Sequence, residues 1–248
     1  MINPPVAISA AHFHHAWLNV LCCLKTNNWK LRNLIVHIEN VSAFDSNIHM
    51  QICDKINSVN PLKAKQVAYT IFPHRLYEIC GTSERLYKEY NKPGGFYDKH
   101  YSGGWGNYFR RMTNYSPVET AKAIKNPNQL KNIIAAINTR RTLCRAAYTI
   151  IIPRPGGETT RKMGGPCLNY IAIQLEPMND GRIISLLCVY RNHDFIGRAY
   201  GNYWGLCNLT RFIAQETNSA PGPLTCISSN AYIENHKSII SELVHELC

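Results

Sequence analysis

Of the ten cysteines in this 248-residue chain, Cys167 has a setting unlike the rest. It follows Gly164-Gly165-Pro166, where a loop runs into a strand-like segment, and the stretch before it carries Arg154, Arg161 and Lys162. A turn into a strand can expose a sulfur, and a positive surrounding field favours the thiolate, the form that attacks electrophiles. Arg140-Arg141 stands between a helical and a strand-like run, and its forked donors suit a phosphate. Tyr190-Arg191-Asn192-His193-Asp194 closes an apolar strand, with Ala199-Tyr200-Gly201-Asn202 soon after. Four polar groups in succession at a strand end make a site rather than core. Taken singly, each motif also has a plainer reading, as a solvated loop.

The elements that must position these groups are legible from periodicity. Leu31 to Glu39 has strand composition, and Pro61 to Ile79 has helical apolar spacing, with Val67, Ile71, Leu76 and Ile79 on the buried side. Ser116-Pro117-Val118-Glu119 has the form of a helix start, and Asn126-Pro127 interrupts that helix before a run through Ile134 and Ile137. Thr142 to Ile152 reads as a strand, and Pro153 to Gly165 as a loop. Leu168 to Leu175 and Arg182 to Tyr190 form strands joined at Asn179-Asp180-Gly181 as a hairpin. Gly205 to Glu216 spaces Leu206, Leu209, Phe212 and Ile213 as an amphipathic helix. The order predicts one α+β domain over residues 1–248.

Composition bounds the rest. With 45% apolar residues the chain can bury a large core, which excludes wholesale disorder. No apolar run reaches ~18 residues, and the N-terminus has no basic segment followed by an apolar stretch, so a cytoplasmic protein with reduced thiols and no membrane contact is expected. No CxxC pair occurs, and His12, His14 and His15 lack partner ligands at helical spacing, so no metal is expected. The net charge of +11 would suit a nucleic acid, but the arginines gather around Pro-Cys rather than along a stripe, which counts against one.

In their order, an arginine pair, Pro-Cys, a strand, Arg-x-x-Asp-x-x-Gly and an Asn-bearing helix start, these motifs resemble the thymidylate synthase and dCMP hydroxymethylase family. The resemblance is dense over roughly residues 138–216 and has the spacing of a divergent branch. It implies a mixed sheet flanked by helices, a homodimer formed through the sheet face, a pyrimidine nucleoside monophosphate as substrate and 5,10-methylenetetrahydrofolate as cofactor. It implies that Cys167 adds to C6 of the pyrimidine and that Arg191 contacts the phosphate while lowering the thiol pKa. Asn192 stands for a phosphate-binding serine, Asp194 holds the base, and Arg140 and Arg141 reach the partner's phosphate. Arg32 looks like the arginine of a phosphate-binding loop. Asn202 reads the N3/O4 edge and favours uracil, where cytosine-specific relatives place an aspartate.

The same comparison marks departures. His74 falls where the family has a catalytic glutamate, with Glu78 four residues on as the competing acid–base group. Trp105 and Phe109 take the tyrosine and tryptophan places of a Tyr-Gly-x-x-Trp-Arg segment, which keeps an aromatic floor for folate or base but removes the tyrosine hydroxyl. Ala231 and Ile233 fall on the positions that bind the sugar hydroxyl, with Tyr232 between them. The expected reaction is C5 methyl or hydroxymethyl transfer to a uridine-type monophosphate. The competing reading is a silent nucleotide-binding relative or a hydroxymethylase of a modified nucleotide, and retention of Cys167 argues for chemistry.

Overall fold

A computed structural model describes residues 4–95, 107–115, 128–139, 146–154, 158 and 165–247. Strand β1 (Val6–Ala10), helix α1 (Phe13–Thr26) and strand β2 (Lys30–Ile38) open the chain. Helices α2 (Ser46–Val59), α3 (Ala64–Ile71), α4 (His74–Cys80), α5 (Ser83–Tyr90), α6 (Tyr108–Thr113) and α7 (Gln129–Thr139) follow. The second half holds β3 (Tyr148–Ile151), β4 (Leu168–Met178), β5 (Gly181–Tyr190), β6 (His193–Asp194), a π-helical turn (Phe195–Ala199), α8 (Tyr200–Glu216), β7 (Ala220–Tyr232) and α9 (Lys237–Leu247). The architecture is α+β, built on a mixed sheet of order β1-β2-β7-β5-β4-β3, with β6 joined to the end of β7.

The hairpin predicted from Asn179-Asp180-Gly181 is present: β4 and β5 run antiparallel from Met178↔Gly181 to Leu168↔Tyr190, and Gly181 takes the positive φ of 141° that the turn needs. Strand β5 then pairs in parallel with β7, which demands a long crossover. That crossover is β6, the π-helical turn and α8, so the polar run from Arg191 to Asn202 lies where the chain leaves one strand for the next. The strand read at 31–39 is β2, shifted by one residue. The helix read from Gly205 begins five residues earlier, and residues 140–145 and 116–127 lie outside the described set.

One expectation is corrected. The helical run from Pro61 to Ile79 is two helices, because Phe72 is extended (φ −144°, ψ 119°) before Pro73 and the second helix starts anew at His74. A residue preceding proline is pushed out of the helical region. The first piece, α3, packs on α8 through glycines: a Cβ on Gly201 would lie 2.6 Å from the Ala64 carbonyl oxygen and from the Val67 Cβ, and one on Gly205 would lie 2.7 Å from the Ala68 oxygen.

The histidines near the N-terminus serve this packing. His14 is fully buried, and burial together with its neighbours His12 and His49 pushes its pKa down to about 3. Its Nε2 accepts the Asp45 N–H at 3.1 Å, and its Nδ1 meets the Tyr200 hydroxyl at 3.0 Å. Trp17 donates to the Phe195 carbonyl at 2.9 Å. Helix α1 thus holds both the π-helical turn and the start of α8. Among the described residues no helix is long and apolar enough to cross a membrane.

The glycine contact gives a test of this packing. Gly201→Ala should lower stability by about 1–3 kcal/mol, the usual cost of an inserted methyl in a packed interface, read as a lower urea midpoint at unchanged slope.

Candidate active site

Strand pairing brings the two central groups together. One step beyond Leu168↔Tyr190, the Arg191 N–H donates to the Cys167 carbonyl at 2.9 Å, and the Arg191 guanidinium hydrogen-bonds the Cys167 sulfur. A register shift between Leu168 and Tyr170 leaves Asn169 out of the β4–β5 register, the kind of bulge that re-aims side chains beside a site. The thiol is half-buried and faces a cavity of about 410 Å³. Asn192, Asp194, Asn202 and Tyr232 line the same cavity, so five of the residues singled out from the sequence share one space with the Arg191 guanidinium at its sulfur.

The electrostatics differ from expectation in one respect. Burial pushes the Cys167 thiol up, Arg191 by charge and hydrogen bond and Arg198 by charge pull it down, and the net result lies above the ordinary thiol value. The arginines therefore offset desolvation rather than producing a standing thiolate. Arg161 and Lys162 lie outside the described residues, and the Arg154 N–H is bound to the Glu158 carboxylate at 2.9 Å.

Asn192 sits among partners: its Nδ2 donates to the Tyr232 hydroxyl at 3.4 Å and its Oδ1 accepts from Asn230 at 2.6 Å. Asp194 caps the π-helical turn, its Oδ1 accepting from the Ile196 and Gly197 N–H groups at 3.1 and 3.0 Å. A Cβ on Gly197 would lie 2.3 Å from the other carboxylate oxygen, so glycine is required for the carboxylate to sit there. Asp194 and Tyr232 also line an adjoining cavity of about 190 Å³ with Asn60, Ile196 and Glu234.

Other residues singled out from the sequence lie elsewhere. His74 and Glu78 form an i,i+4 pair at 3.6 Å, but they line a separate cavity of about 190 Å³ with Tyr69, Phe72 and Trp204. The break at Pro73 starts a new helix, His74–Cys80, none of whose residues lines the cavity of Cys167. Phe109 is sealed in the core, its ring 5.7 Å from that of Phe72 and 4.7 Å from that of Tyr90, so it offers no floor to a ligand. Ala231 and Ile233 are buried as well, while Asn230 and Tyr232, on the opposite side of β7, face the site. Arg32 is exposed, opposite Asn230 in the β2–β7 ladder and outside the cavity lining. Trp105, Arg140 and Arg141 lie outside the described residues.

Motif order passes over Asn107, Tyr108 and Arg198, which also line the cavity. Tyr108 accepts the N–H groups of Cys167 and Leu168 at 3.3 and 3.5 Å, so a tyrosine hydroxyl is present after all. Burial pushes its pKa up to about 12, which keeps it protonated. Asn107 caps α6 and was the signal available, since an Asn N-cap fixes which side of the helix Tyr108 takes. Three residues on, Arg111 makes a buried pair with Glu158 at 2.6 and 3.0 Å and donates to the Ile152 carbonyl at 3.1 Å. That pair ties the segment before Cys167 to the same helix. Arg198, exposed at the rim, and His193, fully buried, line the cavity too.

No protein-family model matches the chain. Over 109 residues, 44% of the chain, it is 28% identical to a protein of Methanococcoides burtonii named "Putative thymidylate synthase" and 37% identical to one of the same name from Methanosarcina barkeri. The matched stretch is 47% of each relative, so the chain spans about half the length of the curated relatives it matches. The relation to thymidylate synthase-like proteins is a distant one.

The sulfur's surroundings fix how it should titrate. Alkylation of Cys167 by iodoacetamide should rise with pH through an inflection above that of a free thiol, and Arg191→Gln should move it higher still by removing the positive partner of the thiolate. Mass spectrometry of the peptide containing Cys167 reads both profiles. An inflection that Arg191→Gln leaves in place would contradict the contact.

Proposed function

We propose that the chain is a thymidylate synthase-like enzyme that transfers a one-carbon unit to C5 of a uridine-type nucleoside monophosphate. The observation that carries this reading is the hydrogen bond between the Arg191 guanidinium and the Cys167 sulfur at the wall of a cavity lined by amides and a carboxylate. A pyrimidine needs a soft nucleophile at C6 to make C5 reactive, and a half-buried thiol with a fixed positive neighbour is such a nucleophile.

In this reading the Cys167 sulfur bonds to C6, the electron pair of the C5–C6 double bond moves toward the C4 carbonyl oxygen, and C5 becomes the attacking carbon. The thiol proton must leave as the sulfur attacks, and the arginine stabilises the developing thiolate. Arg191 also has the charge to meet the phosphate, with Asn192 as a neutral donor beside it. Arg198 adds a second charge at the rim. Tyr108 stays protonated and braces the backbone at Cys167. Once C5 carries the new carbon, its hydrogen leaves as a proton, the electron pair of that C–H bond restores the C5–C6 double bond, and the C6–S bond breaks with the sulfur leaving as thiolate.

Methylenetetrahydrofolate would supply the carbon. Phe109 cannot hold it. The adjoining cavity fits a flat, polar-edged ring better: Val59, Pro61 and Ile196 give it apolar walls, and Asn60 and Asp194 give it hydrogen-bonding groups beside the cavity of Cys167. Two further proposals follow from the fold. Every described strand belongs to one sheet, which supports a single domain over residues 1–248. The sheet face away from α1 and α8 carries Ile35, Tyr170, Leu187, Val189 and Ile227, all partly exposed, which supports a homodimer through that face, with Arg140 and Arg141 reaching the partner's site.

The test is a screen of dUMP, UMP, dCMP and CMP with and without methylenetetrahydrofolate, scored by product mass. A folate-dependent gain of about 14 mass units signifies a methyl group and about 30 a hydroxymethyl group, and a Cys167→Ser variant should give neither. No product from any of the four, despite measurable nucleotide binding, would refute the enzyme reading.

A further inference from the structure

Among the described residues His193 is the one buried imidazole in direct contact with a cavity side chain, and the mechanism above makes no use of it. Its ring is 1% exposed and boxed by three others: it stacks on Tyr190 at 4.1 Å with 4° between planes, and meets Phe195 and Tyr203 edge-on at 5.3 and 5.6 Å. Such a ring cannot turn. Burial pushes its pKa down to about 3, so it is neutral and has one N–H and one bare nitrogen. Asn202 Nδ2 lies 3.1 Å from Nε2, and Ser228 Oγ lies 2.9 Å from Nδ1. An amide nitrogen only donates, so Nε2 is the bare nitrogen and Nδ1 carries the hydrogen given to Ser228. Ser228 can accept it, because its own hydroxyl hydrogen has the Cys226 sulfur within reach.

The consequence falls on Asn202. Its side chain is 3% exposed, and its Oδ1 has no partner among the described residues although it borders the cavity of Cys167. An amide is nearly symmetric in shape and opposite in hydrogen-bonding sense at its two ends, so turning it by half a revolution exchanges acceptor for donor. An imide edge, with ring N–H beside C=O, and an amidine edge, with bare ring nitrogen beside C–NH₂, demand opposite orders.

We propose that His193 is a specificity-determining positioning residue: its bare Nε2 and boxed ring hold the Asn202 amide in one orientation, and that orientation decides whether the site accepts an imide or an amidine pyrimidine edge. The inference rests on the nucleotide reading above and predicts the imide, hence uracil. The order of acceptor and donor is set by a residue that never touches the base.

Two measurements decide it, and only one needs a ligand. Nitrogen-15 NMR of the imidazole in the whole protein should show hydrogen on Nδ1 and none on Nε2; hydrogen on Nε2 would overturn the proposal whatever the substrate. Binding of dUMP and dCMP to the wild type should favour dUMP by about 10-fold or more, the scale set by one mismatched buried polar group. His193→Phe, which keeps the ring stack, should bring the two within about 3-fold. Ser228→Ala, which leaves the imidazole in place but removes the acceptor for Nδ1–H, should erode the preference in the same direction and covers the case in which His193→Phe does not fold. A preference retained in both variants would overturn the lock. Failure of the wild type to bind either nucleotide would sink the nucleotide reading and the specificity role with it, and the NMR result tells that failure apart from a failure of the lock.

Discussion

The Arg191 N–H meets the Cys167 carbonyl at the last rung of the β4–β5 ladder, and the chemistry of the site depends on that rung. The two side chains are 24 positions apart in sequence (191 − 167). They meet because an antiparallel hairpin returns its second strand to the start of its first. Moving the pairing by one residue would send one of the two groups to the other face of the sheet. The long apolar run of the two strands fixes the register against such slips, since Leu168, Ile171, Ile173, Ile184, Leu186 and Cys188 are all buried on one side.

From that rung outward, the site is built from what leaves the strand. Strand β6 ties His193 and Asp194 to the end of β7. The π-helical turn that follows is capped by Asp194, pinned by Trp17 and by Asn60, which donates to the Ile196 carbonyl at 2.9 Å. Such turns are uncommon and recur at functional sites. Helix α8 then presents Asn202 from its first turn, and its two glycines let α3 lie close enough for Val67 and Thr70 to close the cavity. Among the described residues, the Asn202 Oδ1 in this wall has no partner, and Asn202 lines the cavity.

Much of this was legible in the chain. The hairpin, the α7 run and the amphipathic α8 follow from apolar spacing, and the grouping of Cys167 with Arg191, Asn192, Asp194, Asn202 and Tyr232 follows from motif order. The residues that fall outside the cavity do so for a common physical reason. Phe109 is sealed in the core one position from Tyr108, whose hydroxyl reaches the backbone at Cys167, and the buried Ala231 and Ile233 flank Tyr232, which lines the cavity. A single step reverses the face on a strand and turns the side chain by about 100° on a helix. Motif spacing carries no information on which face a residue takes; the Asn107 cap and the β6–β7 pairing do. His74 lines a separate cavity for a related reason, since the helix that carries it starts anew after Pro73. The field at the sulfur was misjudged because nearby positive residues in sequence say nothing of burial, which here pushes the thiol the other way.

The proposed reaction stands or falls on one bond, from the sulfur of Cys167 to C6 of a uridine-type monophosphate. Sulfur addition at C6 loosens the hydrogen at C5, so the most direct measurement is uptake of solvent deuterium at C5 of dUMP or UMP, followed by mass during incubation with the wild type and with Cys167→Ser. The account predicts uptake with the wild type and none with Cys167→Ser. Equal uptake with both, or no uptake by a wild type that binds the nucleotide, would contradict it.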